Sequence, residues 1–152
     1  MLQVGDVAPD FELLDENGKP TRLASFRGRS VVLVFFPAAF SPICTQELKG
    51  LSAHAGDFEQ DNAVLVGVSV DNKWSLKAFK RAELLRAVLL SDFHPKGNVA
   101  QKYGVFKGET GYARRGTFVI DKEGIIRGIT VKEPMEPRGE EDALNQLRNC
   151  PR

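Results

Sequence analysis

The sequence predicts an α/β fold, in which strands and helices alternate along the chain. Ser30 to Phe36 is a nearly unbroken apolar, β-branched and aromatic run, which is typical of a strand buried on both faces of a sheet. Val64 to Val70 has the same character. Between them, Thr45 to Asp61 carries apolar residues at helical spacing and predicts an amphipathic helix.

Six further segments extend the pattern. Short strands around an Asn-Gly turn predict an N-terminal hairpin, since Asn-Gly tolerates the positive φ of tight turns. Two later strands flank a second turn, and two more helices follow the amphipathic pattern. The predicted ranges are the hairpin strands Phe11 to Leu14 and Thr21 to Leu23, the strands Thr117 to Ile120 and Ile125 to Val131, and the helices Trp74 to Leu85 and Glu140 to Arg148. In the helix from Trp74 the predicted apolar side holds Trp74, Ala78, Phe79 and Ala82.

Length and charge limit the class of protein. A chain of 152 residues with 42% hydrophobic residues is large enough for one core, so we expect a single domain over residues 1–152. The 21 Lys and Arg residues are balanced by 20 Asp and Glu residues, which predicts neither a nucleic-acid nor a membrane partner. The N-terminal residues Met1 to Asp6 lack the basic start and apolar core of a signal peptide, so we expect a cytoplasmic protein.

Two cysteines are too few for a disulfide-dense scaffold in a chain of this length. Cys44 and Cys150 are 106 positions apart, and neither forms a ligand pair with His54 or His94. We therefore expect free thiols and no metal site.

Cys44 stands where the buried strand gives way to the helix. A cysteine in the first turn of a helix faces unpaired backbone N–H groups and the positive end of the helix dipole, which favour a thiolate. The alternative is a small buried hydrophobic residue. For any thiol, lowering the pKa from about 8.5 to about 6 increases the reaction rate at neutral pH only about two- to threefold. The fraction of thiolate rises, but each thiolate becomes a weaker nucleophile as its pKa falls. A reactive site therefore also needs donors that stabilise the transition state.

The neighbours of Cys44 favour the reactive interpretation. Pro37, Ser41 and Cys44 form Pro-x-x-x-Ser-x-x-Cys, which resembles the Pro-x-x-x-Thr/Ser-x-x-Cys motif of the peroxiredoxin family. The resemblance covers nearly the whole chain and is strongest to the one-cysteine, AhpE-like alkyl hydroperoxide reductases. The other segments that carry it are Val7 to Phe11, Leu33 to Pro37, Glu47-Leu48, Leu90 to Phe93, Tyr103 to Phe106 and Arg115 to Asp121.

This resemblance implies a thioredoxin-like fold, with a central mixed β-sheet flanked by helices and an N-terminal hairpin. It also implies a homodimer and a thiol peroxidase without metal, haem or flavin. Cys44 would attack hydrogen peroxide or an organic hydroperoxide and become a sulfenic acid. An external thiol, or a thioredoxin- or glutaredoxin-like protein, would then reduce it.

The resemblance also assigns roles around Cys44, each with an ordinary alternative. Ser41 would orient the peroxide, or could simply cap the helix. Arg115 would hold the thiolate and polarise the peroxide, and only the resemblance selects it over its neighbour, since a lone arginine is usually solvated. Glu47 would hold Arg115, or could be an exposed first-turn glutamate. Pro37 would shape the pocket wall, although a proline that ends a strand is common.

The source of the reducing thiol stays open in the sequence. A resolving cysteine five residues after Cys44 is excluded, because that residue is Lys49. Cys150 could resolve Cys44, or could be an incidental thiol near a frayed terminus.

Two other functions remain as alternatives. A thiol–disulfide oxidoreductase would need Cys-x-x-Cys, but positions 41 and 47 are Ser and Glu. The other is a non-catalytic interaction module on the same fold. A Cys-His hydrolase is disfavoured, because His54 lies about 15 Å along the helix from Cys44.

Overall fold

The computed structural model describes residues 1–151. Its strands are β1 (Glu12–Asp15), β2 (Pro20–Arg22), β3 (Ser30–Phe35), β4 (Ala63–Ser69), β5 (Val88–Ser91), β6 (Phe106–Lys107), β7 (Tyr112–Ala113), β8 (Arg115–Ile120) and β9 (Ile126–Lys132). Its helices are α1 (Pro42–Ala53), α2 (Ala55–Gln60), α3 (Lys73–Glu83), α4 (Asn98–Lys102) and α5 (Glu140–Leu147), with a 3₁₀ turn at Leu23–Phe26. The predicted α/β class is confirmed.

Seven strands form one mixed sheet in the order β2-β1-β5-β4-β3-β8-β9, and β6 and β7 form a separate ribbon. The three central strands β5, β4 and β3 are parallel, as the intervening helices require, while β1, β2, β8 and β9 pair antiparallel. The predicted hairpin is confirmed, and β1 extends the main sheet through its pairing with β5.

Alternate residues of the fully buried strand β3 enter two different cores. Val32 and Val34 pack with residues of α1, α2, α3 and α5 on one face of the sheet. Val31, Leu33 and Phe35 pack with α4 and the N-terminal segment on the other. Burial on both faces explains why the sequence of β3 is continuously apolar rather than alternating.

The single helix predicted over Thr45 to Asp61 is wrong in two respects. It begins earlier, at Pro42, and it breaks at His54 into α1 and α2. The N–H of His54 donates to the carbonyl of Leu51, 3.0 Å away, so the last turn of α1 closes with a 3₁₀-type hydrogen bond between residues three apart. Gly56 follows at once and weakens helix propensity at the same place.

The apolar face predicted for α3 is wrong for three of its four residues. Trp74, Ala78 and Ala82 are exposed, whereas Phe79 is buried as predicted, together with Leu76. Both sides of this helix carry apolar residues, so periodicity alone selects the wrong one. The ring of Trp74 instead lies under the ammonium group of Lys73, 4.9 Å from the ring centroid.

Four elements have no counterpart in the sequence prediction, namely β5, α4, β6 and β7. All are five residues or shorter, which is too short for a periodic signal. In the described residues, no helix is long and apolar enough to cross a membrane.

The topology brings several chain segments to one edge of the sheet. β3 ends there, and β8 starts there, since Val34 pairs with Thr117 in antiparallel register. β9 ends there as well, with Lys132 opposite Arg115. The β3–α1 connection, the start of β8 and the loop after β9 therefore meet at this edge.

Candidate active site

Cys44 lies at the third position of α1, just beyond the end of β3. The first hydrogen bond of this helix runs from the N–H of Thr45 to the carbonyl of Ser41, at 2.9 Å. The amides of Ile43 and Cys44 therefore precede the helical ladder and point to the N-terminal end, where a negative charge is stabilised. Cys44 is fully buried. Burial alone does not distinguish a reactive cysteine from a cysteine that is only a small hydrophobic residue of the core.

A guanidinium group distinguishes Cys44 from an inert core cysteine. Nη1 of Arg115 lies 3.2 Å from the Sγ of Cys44 and donates to it. Arg115 is itself buried, and its Nε donates to the carbonyl of Pro134 at 2.8 Å. Its neighbour Arg114 instead pairs with Glu133 at the surface. The choice of Arg115 over Arg114 for contact with the sulfur thus agrees with the geometry.

Glu47 is buried rather than exposed, one helical turn after Cys44. Its Oε1 accepts from Nη1 of Arg115 at 2.6 Å, and its Oε2 accepts from the backbone N–H of Arg138 at 2.7 Å. The Nε of Arg138 lies 3.4 Å from the same Oε2. One carboxylate thus bridges two guanidinium groups: that of Arg115 on strand β8 and that of Arg138 in the loop after β9.

Arg138 is a residue of the site that the sequence did not indicate. Its guanidinium group donates to the hydroxyl of Thr117 at 3.1 Å and to the carbonyl of Phe35 at the end of β3. Burial lowers the pKa of Arg138 to about 10, although the Glu47 carboxylate opposes the shift. The residue stays charged at neutral pH. A lone arginine in a loop carries no sequence signal that separates it from a solvated one.

The buried cluster carries more positive than negative charge. Arg115 and Arg138 supply two cations, and Glu47 supplies one anion. A buried charge needs a partner, and a thiolate on Cys44 would balance the remaining positive charge. The sulfur therefore lies beside a buried cluster with a net positive charge.

Ser41 occupies the N-cap position of α1, but its side chain makes no capping hydrogen bond. Its Oγ is buried and has no hydrogen-bond partner among the described residues. A buried hydroxyl without a partner costs free energy, and such a group at a site calls for a functional explanation. The capping alternative for Ser41 therefore does not describe this structure.

A pocket of about 440 Å³ opens at this edge of the sheet. Ser41, Tyr112 and Arg115 carry the polar side-chain groups among its lining residues, and the other lining side chains are apolar. The lining residues are Pro37, Ala38, Ser41, Pro42, Ile43, Tyr112, Arg115, Pro134 and Met135. Pro37 thus forms part of the wall, and Arg115 links the pocket to the Cys44 sulfur through its Nη1.

The connection between β3 and α1 is held by the neighbouring strand. Asp71, just after β4, accepts from the N–H of Ala39 at 2.8 Å and from the hydroxyl of Ser69 at 2.6 Å. Phe40 adopts a left-handed backbone, with φ of 70°, and its ring packs edge-on against Phe79. A bulky residue rarely adopts this conformation, so the surrounding contacts must hold the loop in place.

Cys150 lies far from this site. Its thiol is next to Ser30, the first residue of β3, whereas Cys44 lies beyond the last. Five strand steps separate the two ends of β3 by roughly 16 Å. Cys150 is partly buried against the core rather than on a frayed terminus, and burial raises the pKa of its thiol.

The structure brings together all five predicted site residues: Arg115 contacts both Cys44 and Glu47, and Ser41 and Pro37 line the adjoining pocket. Both histidines lie outside this arrangement. His54 pairs with Asp57 beyond the end of α1. In residues 1–151, no group of three or more His, Cys, Asp or Glu side chains is placed to hold a metal ion.

Solved structures support the fold. A peroxidoxin BcpB from Mycobacterium tuberculosis superimposes with a TM-score of 0.85 at 32% identity, over 98% of this chain and 96% of that one. An AhpC from Enterococcus faecalis gives 0.86 at 27% identity, over 97% and 92%. The predicted thioredoxin-like fold, which peroxiredoxins share, is confirmed.

Sequence comparisons identify the family. The alkyl hydroperoxide reductase E of Mycobacterium tuberculosis is 44% identical over 151 residues, which span 97% of this chain and 99% of the relative. Peroxiredoxin-2 of Mus musculus is 37% identical over 96% of this chain and 78% of its own length. Residues 4–129 match the AhpC/TSA family. The chain therefore belongs to the AhpC/TSA family of peroxiredoxins.

Proposed function

We propose that this protein is a thiol-dependent peroxidase that reduces hydroperoxides through a sulfenic acid on Cys44. One observation carries the assignment of the sulfur. Arg115 places its Nη1 3.2 Å from the Cys44 Sγ and also lines the pocket that opens above it. The same guanidinium group can therefore contact both the nucleophile and a bound peroxide.

The reaction begins with attack of the Cys44 thiolate on one oxygen of the hydroperoxide. An S–O bond forms, the O–O bond breaks, and the departing oxygen leaves with the bonding electrons. A proton converts that oxygen to water or an alcohol, and the sulfur is oxidised to a sulfenic acid. An external thiol attacks the sulfenic sulfur and releases water. A second thiol then reduces the mixed disulfide and restores Cys44.

Negative charge develops on the departing oxygen as the O–O bond breaks, and the site supplies donors for it. Arg115 contributes a permanent positive charge, and the unpartnered hydroxyl of Ser41 can donate to an oxygen in the pocket. The amides at the start of α1 add fixed dipoles. Donors held in place before the reaction need no reorganisation, which is the main source of such stabilisation.

Substrate access requires a local opening of the pocket, because Cys44 is fully buried. The pocket is lined in part by the β3–α1 connection and by the loop after β9. Loops open more readily than the sheet beneath them. We place the opening in these two segments.

Four further features complete the proposal. Residues 1–152 act as one domain, since one sheet carries both cores. We assign a one-cysteine mechanism, because Cys150 lies at the far end of β3. A homodimer agrees with the family. A cytoplasmic location agrees with a thiol that must be reduced after every turnover.

The first prediction concerns the two groups in direct contact. Cys44→Ser should abolish rapid peroxide consumption, because the nucleophile is lost. Arg115→Lys should lower the single-turnover rate by about 10²–10³, since an ammonium group cannot reproduce the guanidinium fork. Stopped-flow loss of hydrogen peroxide, followed by mass spectrometry for one added oxygen, measures both.

Arg114→Lys is the matched control, because the neighbouring arginine pairs at the surface and should tolerate the change. Peroxide consumption that persists in Cys44→Ser contradicts the proposed function. An Arg115→Lys variant as fast as the Arg114→Lys control contradicts the role of Arg115.

The second prediction concerns the buried carboxylate. Glu47→Ala should destabilise the fold by about 3–5 kcal/mol, because it leaves two buried guanidinium groups without their anion. Glu59→Ala is the control, since Glu59 pairs with Arg86 in an exposed ion pair and should cost under about 1 kcal/mol. Urea unfolding of both variants gives the comparison. Equal midpoints would show that Glu47 is not the structural bridge described above.

The third prediction concerns the remaining cysteine. Cys150→Ser should leave steady-state peroxidase turnover with dithiothreitol unchanged, because the thiol is remote from Cys44 and partly buried. Non-reducing electrophoresis of peroxide-treated wild-type protein should likewise show no disulfide between two chains. A Cys44–Cys150 disulfide, or turnover that depends on Cys150, would refute the one-cysteine mechanism.

A further inference from the structure

The β3–α1 connection, residues 37–41, is tied to the rest of the molecule through one carboxylate. Just before it, Phe36 is fully buried, and its N–H donates to the carbonyl of Val68 in β4 at 3.0 Å. In the part of the chain that the structure describes, Ala39 carries the one backbone N–H of residues 37–41 that donates to another segment. Its acceptor is the Oδ2 of Asp71, 2.8 Å away.

Asp71 is itself fixed by two neighbouring strands. The hydroxyl of Ser69, the buried last residue of β4, donates to Oδ2 of Asp71 at 2.6 Å and accepts its backbone N–H at 3.2 Å. The hydroxyl of Ser91, the last residue of β5, donates to the backbone carbonyl of Asp71 at 2.7 Å. The sheet therefore holds this carboxylate in place for Ala39, and an ionised acceptor makes the stronger kind of hydrogen bond.

The residue after Ala39 favours release of the connection. Phe40 has a φ of 70°, a conformation that is strained for a bulky residue. Its ring remains exposed on one side and packs on the other against Phe79, with 5.2 Å between the ring centroids. Phe79 belongs to the same core as Cys44. The strain of Phe40 therefore opposes the closed connection, and the bond from Ala39 to Asp71 maintains it.

The two halves of the catalytic cycle make different demands on this connection. Attack on the peroxide needs Ser41 and the first amides of α1 in fixed places around the sulfur, because donors act best when they are already positioned. Reduction of the sulfenic acid needs an external thiol to reach Cys44, which is fully buried. An organic thiol is bulkier than hydrogen peroxide, so it needs a wider opening.

We infer that Asp71 is a positioning residue, whose carboxylate holds the β3–α1 connection closed and so limits access of the reducing thiol to the Cys44 sulfenic acid. The inference rests on the proposed function of Cys44. Asp71 acts through Ala39 rather than by contact with the reacting atoms. Loss of this bond raises the ratio of open to closed connection about three- to tenfold, from the net contribution of one hydrogen bond.

The test measures the two half-reactions separately. One equivalent of hydrogen peroxide forms the sulfenic acid, and the thiol probe is thionitrobenzoate, whose visible absorbance is lost when it reacts. Its sulfur attacks the sulfenic sulfur, a mixed disulfide forms, and the hydroxyl group leaves as water after it takes a proton. Asp71→Ala should accelerate this step about three- to tenfold. The single-turnover rate with hydrogen peroxide should instead fall roughly two- to fivefold, because Ser41 is held less precisely.

Two further variants separate this role from a general loss of structure. Asp71→Asn keeps a neutral oxygen acceptor for Ala39, so its thiol rate should lie between those of the wild type and Asp71→Ala. Asp10→Ala is the matched control. Asp10 is also partly buried and accepts a distant backbone N–H, that of Ala24 at 3.1 Å, but that donor lies in the 3₁₀ turn after β2. Its thiol rate should equal that of the wild type.

Opposite changes in the two rates are the signature of Asp71 as a positioning residue. A thiol rate in Asp71→Ala equal to that of the wild type, or thiol and peroxide rates that fall together, overturns this inference alone, provided that one oxygen is added at Cys44 in the wild type. A wild-type protein that gains no oxygen at Cys44 overturns the proposed function, and this inference with it.

Discussion

The carboxylate of Glu47, held between two buried guanidinium groups, is the interaction on which the site depends. Its two oxygens fix Arg115 and the backbone of Arg138, and Arg115 in turn contacts the Cys44 sulfur. Buried ion pairs stabilise a fold weakly on balance, because desolvation offsets their attraction. The cluster is better explained by the charge that it places beside Cys44. Two cations and one anion leave one positive charge that a thiolate could balance.

The sheet makes this arrangement possible. Because β8 runs antiparallel to β3, its first residue Arg115 arrives where β3 ends and α1 begins. β9 then returns the chain to the same edge, and the loop that follows it brings Pro134 and Met135 to the pocket and Arg138 to Glu47. Residues up to 103 positions apart in the sequence, such as Phe35 and Arg138, meet through two antiparallel pairings. The site therefore combines residues of helix α1, strand β8 and the loop after β9.

Residue patterns alone predicted the parts of the fold with long apolar runs, such as β3, and the position of Cys44 at a strand-to-helix junction. Residue patterns could not distinguish Arg115 from Arg114, since adjacent arginines differ only in the direction in which their side chains leave the strand. The family resemblance made that choice. Arg138 was missed because it lies in a loop, where no helical or strand periodicity separates buried from exposed positions. The face of α3 was misassigned because Trp74 and Leu76 are both apolar, and only tertiary packing decides which is buried.

A double-mutant cycle on the single-turnover rate with hydrogen peroxide tests most directly whether Glu47 acts by holding Arg115. In the wild-type background, Glu47→Gln should slow the reaction by roughly ten- to a hundredfold, because the guanidinium group loses its fixed position. In an Arg115→Met background the same change should have almost no further effect. An equal loss in both backgrounds would contradict this account, since Glu47 would then act on Cys44 independently of Arg115.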